Sequence, residues 1–117
     1  MIGSKKMNNN KRLGETKPKR LYVLVDETLD PIYGAVQGGH CVAQYMIDNK
    51  LNKDSWDNEY LIYLSANVGL WRCRLLSKGK KISEFREPDL ENRLTSICCV
   101  DDGSTFKRLP LLHAKKY

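Results

Sequence analysis

Apolar residues occur in four short runs along the chain, separated by polar segments. Residues 21–25, "LYVLV", form a continuous apolar run of strand length, which is typical of a strand covered on both faces. Residues 60–66 and 94–100 are runs of similar length, and residues 82–86 form a shorter one. The pattern predicts four β-strands, of which the first is the central one.

Between these runs, apolar residues recur at the spacing of a helix. Residues 32–49 predict a helix, and Asn67 can cap a second helix that runs to about Lys78 and stops at Gly79. The spacing along the first helix predicts one buried stripe. This stripe comprises Ala35, Gly39, Val42, Ala43 and Met46, with Val36 and Ile47 at its margin.

Alternation of strands and helices predicts an α/β fold. We expect right-handed crossovers to join the first three strands, and the short link to the fourth strand favours an antiparallel neighbour. Residues 20–117 should therefore form a single small domain, a mixed four-stranded sheet with helices packed on its faces. Its closing segment is expected to pack on this body through Phe106, Leu109, Leu111 and Leu112.

Positive charge is concentrated before this domain. The formal net charge is +6; residues 1–20 carry seven Lys or Arg against one Glu, whereas the rest of the chain carries thirteen charges of each sign. Residues 1–19 therefore predict a basic leader that we expect to be disordered. It either keeps the protein soluble or binds phosphate groups weakly.

Location and cofactors follow from what the sequence lacks. No apolar run reaches the roughly 18 residues of a membrane span, and the leader has no apolar core of a secretory signal, so we expect a cytoplasmic protein without a membrane partner. The cysteines Cys41, Cys73, Cys98 and Cys99 show neither a CxxC pair nor a histidine at metal-ligand spacing. Buried free thiols are the favoured interpretation and a thiol nucleophile the alternative; no metal or other cofactor is expected.

A polar stripe beside the buried face of the first helix carries candidate chemistry. It consists of residues at i, i+4, i+7 and i+11, namely Tyr33, Gln37, His40 and Gln44. Gly38 and Gly39 each cost about 1 kcal/mol relative to alanine inside a helix, which indicates a close approach of backbone or ligand. Packing on the sheet accounts for Gly39, on the predicted stripe, better than for Gly38. His40 alone fits a structural histidine as well as a functional one.

A second candidate group lies in "REPDLENRLT", residues 86–95. A carboxylate in a loop that opens a strand can orient a water molecule or a histidine, and Thr95 can donate a hydrogen bond to a carbonyl or phosphate. A solvated turn, in which Asp89 bonds its own backbone, is the alternative.

The order of "LYVLV", "DPIYGAVQGGHCVAQY", "FREPDLENRLTSIC" and a final "LPLL" resembles the type II peptidyl-tRNA hydrolase superfamily, especially its small bacterial and phage-type branch. The resemblance covers about residues 20–112. It implies a small α/β fold around a mixed four-stranded sheet. It also implies metal-independent cleavage of the ester that joins a peptide to the 3′ end of tRNA. Peptidyl-tRNA or tRNA is then the partner, and the oligomeric state, a homodimer included, stays open.

The resemblance implies site residues by position. Gln37 and His40 match the glutamine and histidine of the family's helix, and Thr95 matches the threonine that opens the last strand. Asp89 or Glu87 is the nearest counterpart of the active-site aspartate. The implied catalytic residues are His40 as general base, Asp89 as its holder, and Thr95, which polarises the carbonyl with Gln37 or with main-chain amides near the helix start.

The implied substrate-binding residues are Tyr33, Gln37, Gly38, Glu87, Arg86 and Arg93, the two arginines being candidates for tRNA binding. Tyr33 stands where the well-studied branch carries a lysine, so an ammonium that would stabilise an oxyanion or bind a phosphate is absent. Two alternatives to the enzyme therefore remain. One is a tRNA- or protein-binding module that has lost hydrolysis, and the other is a protein-interaction domain without a role in RNA binding.

Overall fold

The computed structural model describes residues 18–50 and 55–113. Strands and helices alternate in the predicted order. The strands are β1 (Arg20–Asp26), β2 (Tyr60–Ala66), β3 (Ser83–Glu87) and β4 (Arg93–Val100), and the helices are α1 (Pro31–Asp48) and α2 (Val68–Ser77). Short 3₁₀ turns follow β3 at Pro88–Leu90 and β4 at Ser104–Phe106. Residues 1–17 of the predicted leader lie outside the described residues.

The four strands form one mixed sheet in the order β2-β1-β4-β3. β1 pairs in parallel with β2 and antiparallel with β4, and β4 pairs antiparallel with β3. β1 is therefore an internal strand, and its residues 21–25 are at most 7% exposed. The predictions of a mixed α/β sheet and of a central first strand are confirmed.

One helix packs on each face of the sheet. Alternate residues of a strand point to opposite faces, so each helix covers a separate apolar cluster. The α1 face buries Leu21, Val23, Val25, Cys41, Tyr45, Trp56 and Cys98. The α2 face buries Tyr22, Leu24, Leu64, Ala66, Val68, Leu75, Ile97, Cys99 and Phe106. Neither of these two helices is both long and apolar enough to cross a membrane.

The closing segment packs on the sheet through most of the predicted residues. Phe106 is 3% exposed, and Leu109 and Leu112 pack against the two clusters. Leu111 is 64% exposed, so its predicted packing is wrong. Its backbone instead pairs with Leu64 in an isolated bridge at the β2 edge, and that pairing leaves its side chain in solvent.

The inward face of α1 differs from the predicted stripe. The residues that are buried against the sheet are Gly34, Gln37, Gly38, Cys41 and Tyr45. Of the predicted stripe, Val42 and Met46 are partly buried and pack against the α1-side cluster, whereas Ala35, Gly39 and Ala43 are exposed. The prediction was wrong for these three because α1 carries apolar residues on both of its faces, so hydropathy did not identify the centre of the face that meets the sheet.

As a result, Gly38 and not Gly39 is the glycine that packs closely on the sheet. A Cβ on Gly38 would lie 2.5 Å from Tyr63 Cε2 and 3.1 Å from Val23 Cγ1, so close packing of helix on sheet requires glycine there. A Cβ on Gly39 would meet nothing within 4 Å. Gly38, which the resemblance implied for substrate binding, thus provides room for the sheet and not for a ligand.

Candidate functional site

Most of the predicted site residues gather at the edge of the sheet where the parallel strands β1 and β2 end. β3 ends at this edge with Glu87, β4 begins there with Arg93, and α1 begins at Pro31 shortly after β1. Ligand and catalytic groups of open α/β sheets commonly collect at this carboxyl edge. The arrangement of strands therefore brings the two sequence motifs together.

A β-bulge in β4 turns Thr95 towards α1. The pairing of β3 with β4 shifts in register between Phe85 and Arg86, which leaves Thr95 of β4 without a partner on β3. Ile97 packs on the α2 face, and regular alternation would turn Thr95, two residues earlier, to that face as well. The extra residue reverses its direction, as bulges often do beside functional sites.

Thr95, Gln37 and Glu87 form a continuous chain of hydrogen bonds. Thr95 Oγ1 donates to Gln37 Oε1 across 2.6 Å, and Gln37 Nε2 donates to Glu87 Oε1 across 2.9 Å. Thr95 is 0% and Gln37 is 1% exposed, whereas Glu87 is half-buried. This burial does not fit the predicted contact of Thr95 and Gln37 with a substrate carbonyl; the two side chains instead hold the Glu87 carboxylate in position. Glu87 is the member of the chain that is accessible at the surface.

Glu87 is the carboxylate that takes part in these hydrogen bonds, and the backbone N–H of Asp89 supports it. The Asp89 N–H donates to Glu87 Oε2 across 3.3 Å, while the Asp89 side chain is exposed. Hydrogen bonds from Gln37 and from the Asp89 N–H, with smaller effects of His40 and Tyr33, lower the pKa of Glu87 below its usual value. Of the two carboxylates that the sequence left open, Glu87 is the one whose side chain accepts from Gln37, and it is ionised at neutral pH.

Tyr33 borders the same carboxylate and is 37% exposed. Partial removal from water and then the negative charges of Glu87 and Asp89 raise the pKa of the Tyr33 phenol above its usual value. The hydroxyl is therefore protonated at neutral pH, and its hydrogen bond to the Glu87 carboxylate is a smaller cause of the shifts in both pKa values.

His40 is oriented by Phe85, a residue that the sequence analysis did not single out. Their rings stack with centroids 4.7 Å apart and planes 14° apart. His40 is exposed and Phe85 is half-buried, so the stack fixes the imidazole plane while solvent still reaches the ring. Phe85 lies two residues before Glu87 in β3, but nothing in the sequence indicated that it would meet α1.

Arg86 and Arg93 bind groups other than Glu87. Arg86 Nε lies 3.3 Å from Glu84 Oε1, and Arg93 Nη2 donates to Asp26 Oδ2 across 2.8 Å. Both arginines are exposed at this edge of the sheet. They can therefore contribute positive potential towards a polyanion, but each is held by a carboxylate other than Glu87.

The backbone N–H groups in the first turn of α1 are capped by Asp30. Asp30 Oδ2 accepts from the Ile32 and Tyr33 N–H groups at 3.1 and 3.3 Å, and the Gly34 N–H donates to the Asp30 carbonyl at 2.7 Å. Pro31 has no N–H. The predicted polarisation of a carbonyl by main-chain amides at the helix start is wrong, because Asp30 already satisfies these donors.

Other kinds of site have less support. Within residues 18–50 and 55–113, no three or more His, Cys, Asp or Glu side chains are grouped so as to hold a metal ion. A cleft of about 710 Å³ lies at the opposite edge of the sheet, and its lining includes Arg20, Tyr22, Tyr60 and Asp101. None of the predicted site residues lines this cleft. The candidate chemistry is concentrated around Glu87.

Comparison with known proteins informs the fold alone. No family model and no curated protein matches the chain. Among solved structures, a protein of unknown function, Atu0240 from Agrobacterium tumefaciens strain C58, is similar with a TM-score of 0.57 and 11% sequence identity. The match covers 85% of this chain and 100% of that one. The chain is thus similar to a solved protein in its fold, a small α/β domain with a mixed four-stranded sheet and two helices.

Proposed function

We propose that this chain is a peptidyl-tRNA hydrolase with the type II fold, which cleaves the ester between a peptide and the 3′ end of tRNA. One observation carries the proposal: the two motifs of the resemblance, far apart in the sequence, meet in one hydrogen-bonded chain. Gln37 of the first motif bonds both Glu87 and Thr95 of the second. His40, one turn after Gln37 on α1, stacks on the strand that ends at Glu87.

Ester hydrolysis requires an activated water molecule and a protonated leaving group. His40 takes a proton from water, and the water oxygen bonds to the ester carbonyl carbon. The bond from that carbon to the ribose oxygen then breaks, and the imidazolium returns the proton to this oxygen. Ionised Glu87 lies near enough to His40 for their charges to interact, and it stabilises the imidazolium formed in the first step.

The tetrahedral intermediate also needs a donor for its oxyanion. Tyr33 supplies its hydroxyl, which is protonated at neutral pH and turns from the Glu87 carboxylate to the developing oxyanion. A neutral phenol stabilises an oxyanion less than an ammonium at the same position does. We therefore expect slower turnover than in members of the superfamily that carry the lysine.

A non-catalytic tRNA-binding module is the second candidate. It is favoured by the weak support for an oxyanion beside Glu87. Tyr33 stands there in place of the family's lysine, and Arg86 and Arg93 are paired with Glu84 and Asp26. In this case the exposed arginines would bind phosphates without hydrolysis of the ester.

Release of peptide from N-acetylaminoacyl-tRNA tests the proposal. We expect turnover above the uncatalysed rate, and a loss of about 10²- to 10⁴-fold in His40→Ala, as for removal of a general base. His113→Ala is the matched control, because His113 is also exposed and its Nδ1 lies 3.1 Å from the Leu111 carbonyl oxygen. Equal losses in both variants, or no loss in His40→Ala, would contradict the assignment.

Binding of tRNA separates the two candidates. Tight binding without turnover supports the module, and the absence of binding at modest salt contradicts both functions. Loss of a phosphate contact flattens the dependence of binding on salt concentration, by about one unit of log–log slope per contact. Arg93→Gln should show this effect, and deletion of residues 1–17 should show it only if the predicted leader grips phosphates.

A further inference from the structure

The outward face of α1 is apolar over the whole length of the helix. Its members are Ile32, Val36 and Ile47, which are 73%, 53% and 69% exposed, and the exposed small residues Ala35, Gly39 and Ala43. Asp48 is the one charged residue among the 18 of α1. Its carboxylate accepts from Ser83 Oγ of β3 at 2.8 Å and so points to the sheet. A contiguous exposed apolar face of this kind is typical of a protein–protein contact surface.

We infer that these six residues, the outward stripe, form a self-association surface on which a second copy of the chain docks through its own α1, with the two helices antiparallel. The inference is independent of the proposed hydrolase function. It rests on the symmetry of the stripe, on the charges at its ends and on its dimensions.

Four of the six stripe residues match one another when one copy is reversed. Ile32 and Ile47 lie equally far from the midpoint between Gly39 and His40, and so do Val36 and Ala43. In an antiparallel pair, Ile32 therefore faces the partner's Ile47 and Val36 faces the partner's Ala43, while Gly39 and Ala35 lie beside the partner's His40 and Gln44 at the margin. Such self-complementarity is the requirement for a closed two-fold interface, in which the same surface serves both subunits.

The charges at the two ends favour the same orientation. Asp30 immediately precedes α1 and Lys50 follows its C-cap residue. An antiparallel pair places Asp30 near the partner's Lys50 at both ends, whereas a parallel pair places each charge beside a like charge. The two helix dipoles also oppose each other in the antiparallel pair, which is the favourable arrangement.

The dimensions of the stripe indicate a weak dimer. Ala35, Gly39 and Ala43 recur every four residues at its centre, and such a row of small residues allows the axes to approach to about 8 Å. A helix of 18 residues is about 27 Å long and about 10 Å wide. Contact over this face buries less than the roughly 1,200 Å² of a standard interface, so we expect a dissociation constant in the micromolar range.

Sedimentation velocity of the full chain, from about 1 to about 500 µM, tests the inference over the range that brackets a weak dimer. The wild type should change from monomer to dimer with concentration. Val36→Glu should raise the dissociation constant about 10-fold or more, since it buries an unpaired charge. Leu76→Glu, at a 44% exposed leucine on α2, is the matched control and should dimerise as the wild type does. A wild type that is monomeric throughout would overturn the inference.

A charge pair tests the antiparallel orientation. Ile32→Lys and Ile47→Glu should each weaken the dimer, because each places an unpaired charge opposite an isoleucine of the partner. The double variant carries both changes in one chain and forms two opposite-charge pairs in an antiparallel dimer, so it should dimerise more tightly than either single variant. A double variant that loses as much dimer affinity as the two single variants together would overturn the orientation. Equal dimer affinity in all the variants would overturn it as well.

Discussion

Thr95 donates its hydroxyl hydrogen to Gln37 across 2.6 Å inside the core, where the two side chains are 0% and 1% exposed. A buried amide is tolerated only if its donors and acceptor are paired. Here the oxygen is paired by Thr95 and the nitrogen by Glu87. The buried pair thus serves stability and, at the same time, sets the position of the surface carboxylate.

Thr95→Val should destabilise the fold by about 1–3 kcal/mol, because it leaves Gln37 Oε1 buried without a donor. In a Gln37→Met background the same substitution should cost less, since the oxygen is already absent. Chemical denaturation of the wild type, both single variants and the double variant measures the coupling. Additive effects of the two substitutions would show that the hydrogen bond contributes nothing to stability.

Gln37→Met should also raise the pKa of Glu87. In the wild type the hydrogen bond from Gln37 is the largest cause that lowers this pKa, followed by the Asp89 N–H. The contacts of ionised Glu87 therefore stabilise the fold above its unfolded pKa and lose this contribution as pH falls through the lower folded value. Carboxyl chemical shifts followed by NMR between pH 2 and 7, a range that brackets ordinary carboxyl titration, measure the effect. An unchanged titration of Glu87 in the variant would contradict it.

Gly38→Ala and Gly39→Ala should have opposite effects, although the residues are neighbours. The Cβ at Gly38 would lie 2.5 Å from the Tyr63 ring, so the first variant should lose about 1–3 kcal/mol to overpacking. The Cβ at Gly39 meets nothing within 4 Å, so the second should gain up to about 1 kcal/mol of helix propensity. Thermal unfolding of dilute protein compares the two, and equal effects would refute this account.

The cysteines should differ in reactivity towards a disulfide reagent at pH 8. Cys73 is exposed and should react first, whereas Cys41, Cys98 and Cys99 are buried. Burial raises the pKa of Cys99 to about 11, and the contact with Cys41 together with burial raises that of Cys98. A rapid phase of one thiol, which disappears in Cys73→Ser, is the expected result. Rapid release of more than one thiol equivalent from the native protein would contradict the assignment.

Asp101→Asn should destabilise the fold at neutral pH and have less effect in acid. Burial alone raises the pKa of Asp101, but hydrogen bonds from Lys80 Nζ, the Gly103 N–H and the Thr105 hydroxyl outweigh burial and lower it. This carboxylate therefore stabilises the fold above its unfolded pKa of about 3.9, and the contribution is lost as pH falls through the folded value. Denaturation at pH 7 should show a loss of about 1–3 kcal/mol, and a loss that persists undiminished at low pH would contradict the mechanism.

The elements of the fold could be predicted from the sequence because their signals are local. All four strands and both helices end within one residue of the predicted positions. Asn67 caps α2 by accepting from the Leu70 N–H, and Gly79 follows with a φ of +75°, as the residue types indicated. Capping and turn preferences act over a few residues, and their outcome does not depend on the rest of the chain.

The site could be predicted only in part because its geometry depends on pairing between distant segments. The register shift that turns Thr95 towards Gln37 arises from β3–β4 pairing and leaves no mark on hydropathy. The choice between Glu87 and Asp89 depends on that same register. The inward face of α1 was hidden because Gly34 and Gly38 contribute little hydropathy, although their lack of a side chain is what the sheet requires.

The inward face of α1 places glycine at Gly34 and Gly38 and larger side chains at Gln37, Cys41 and Tyr45. A slip of the helix by one turn along its axis would place Cys41 where Gly38 now lies against Tyr63, and no room exists there even for a methyl group. The lack of space at Gly38 therefore opposes sliding of α1 along the sheet and fixes the longitudinal register of the helix. The same restriction keeps Gln37 within hydrogen-bond distance of Thr95.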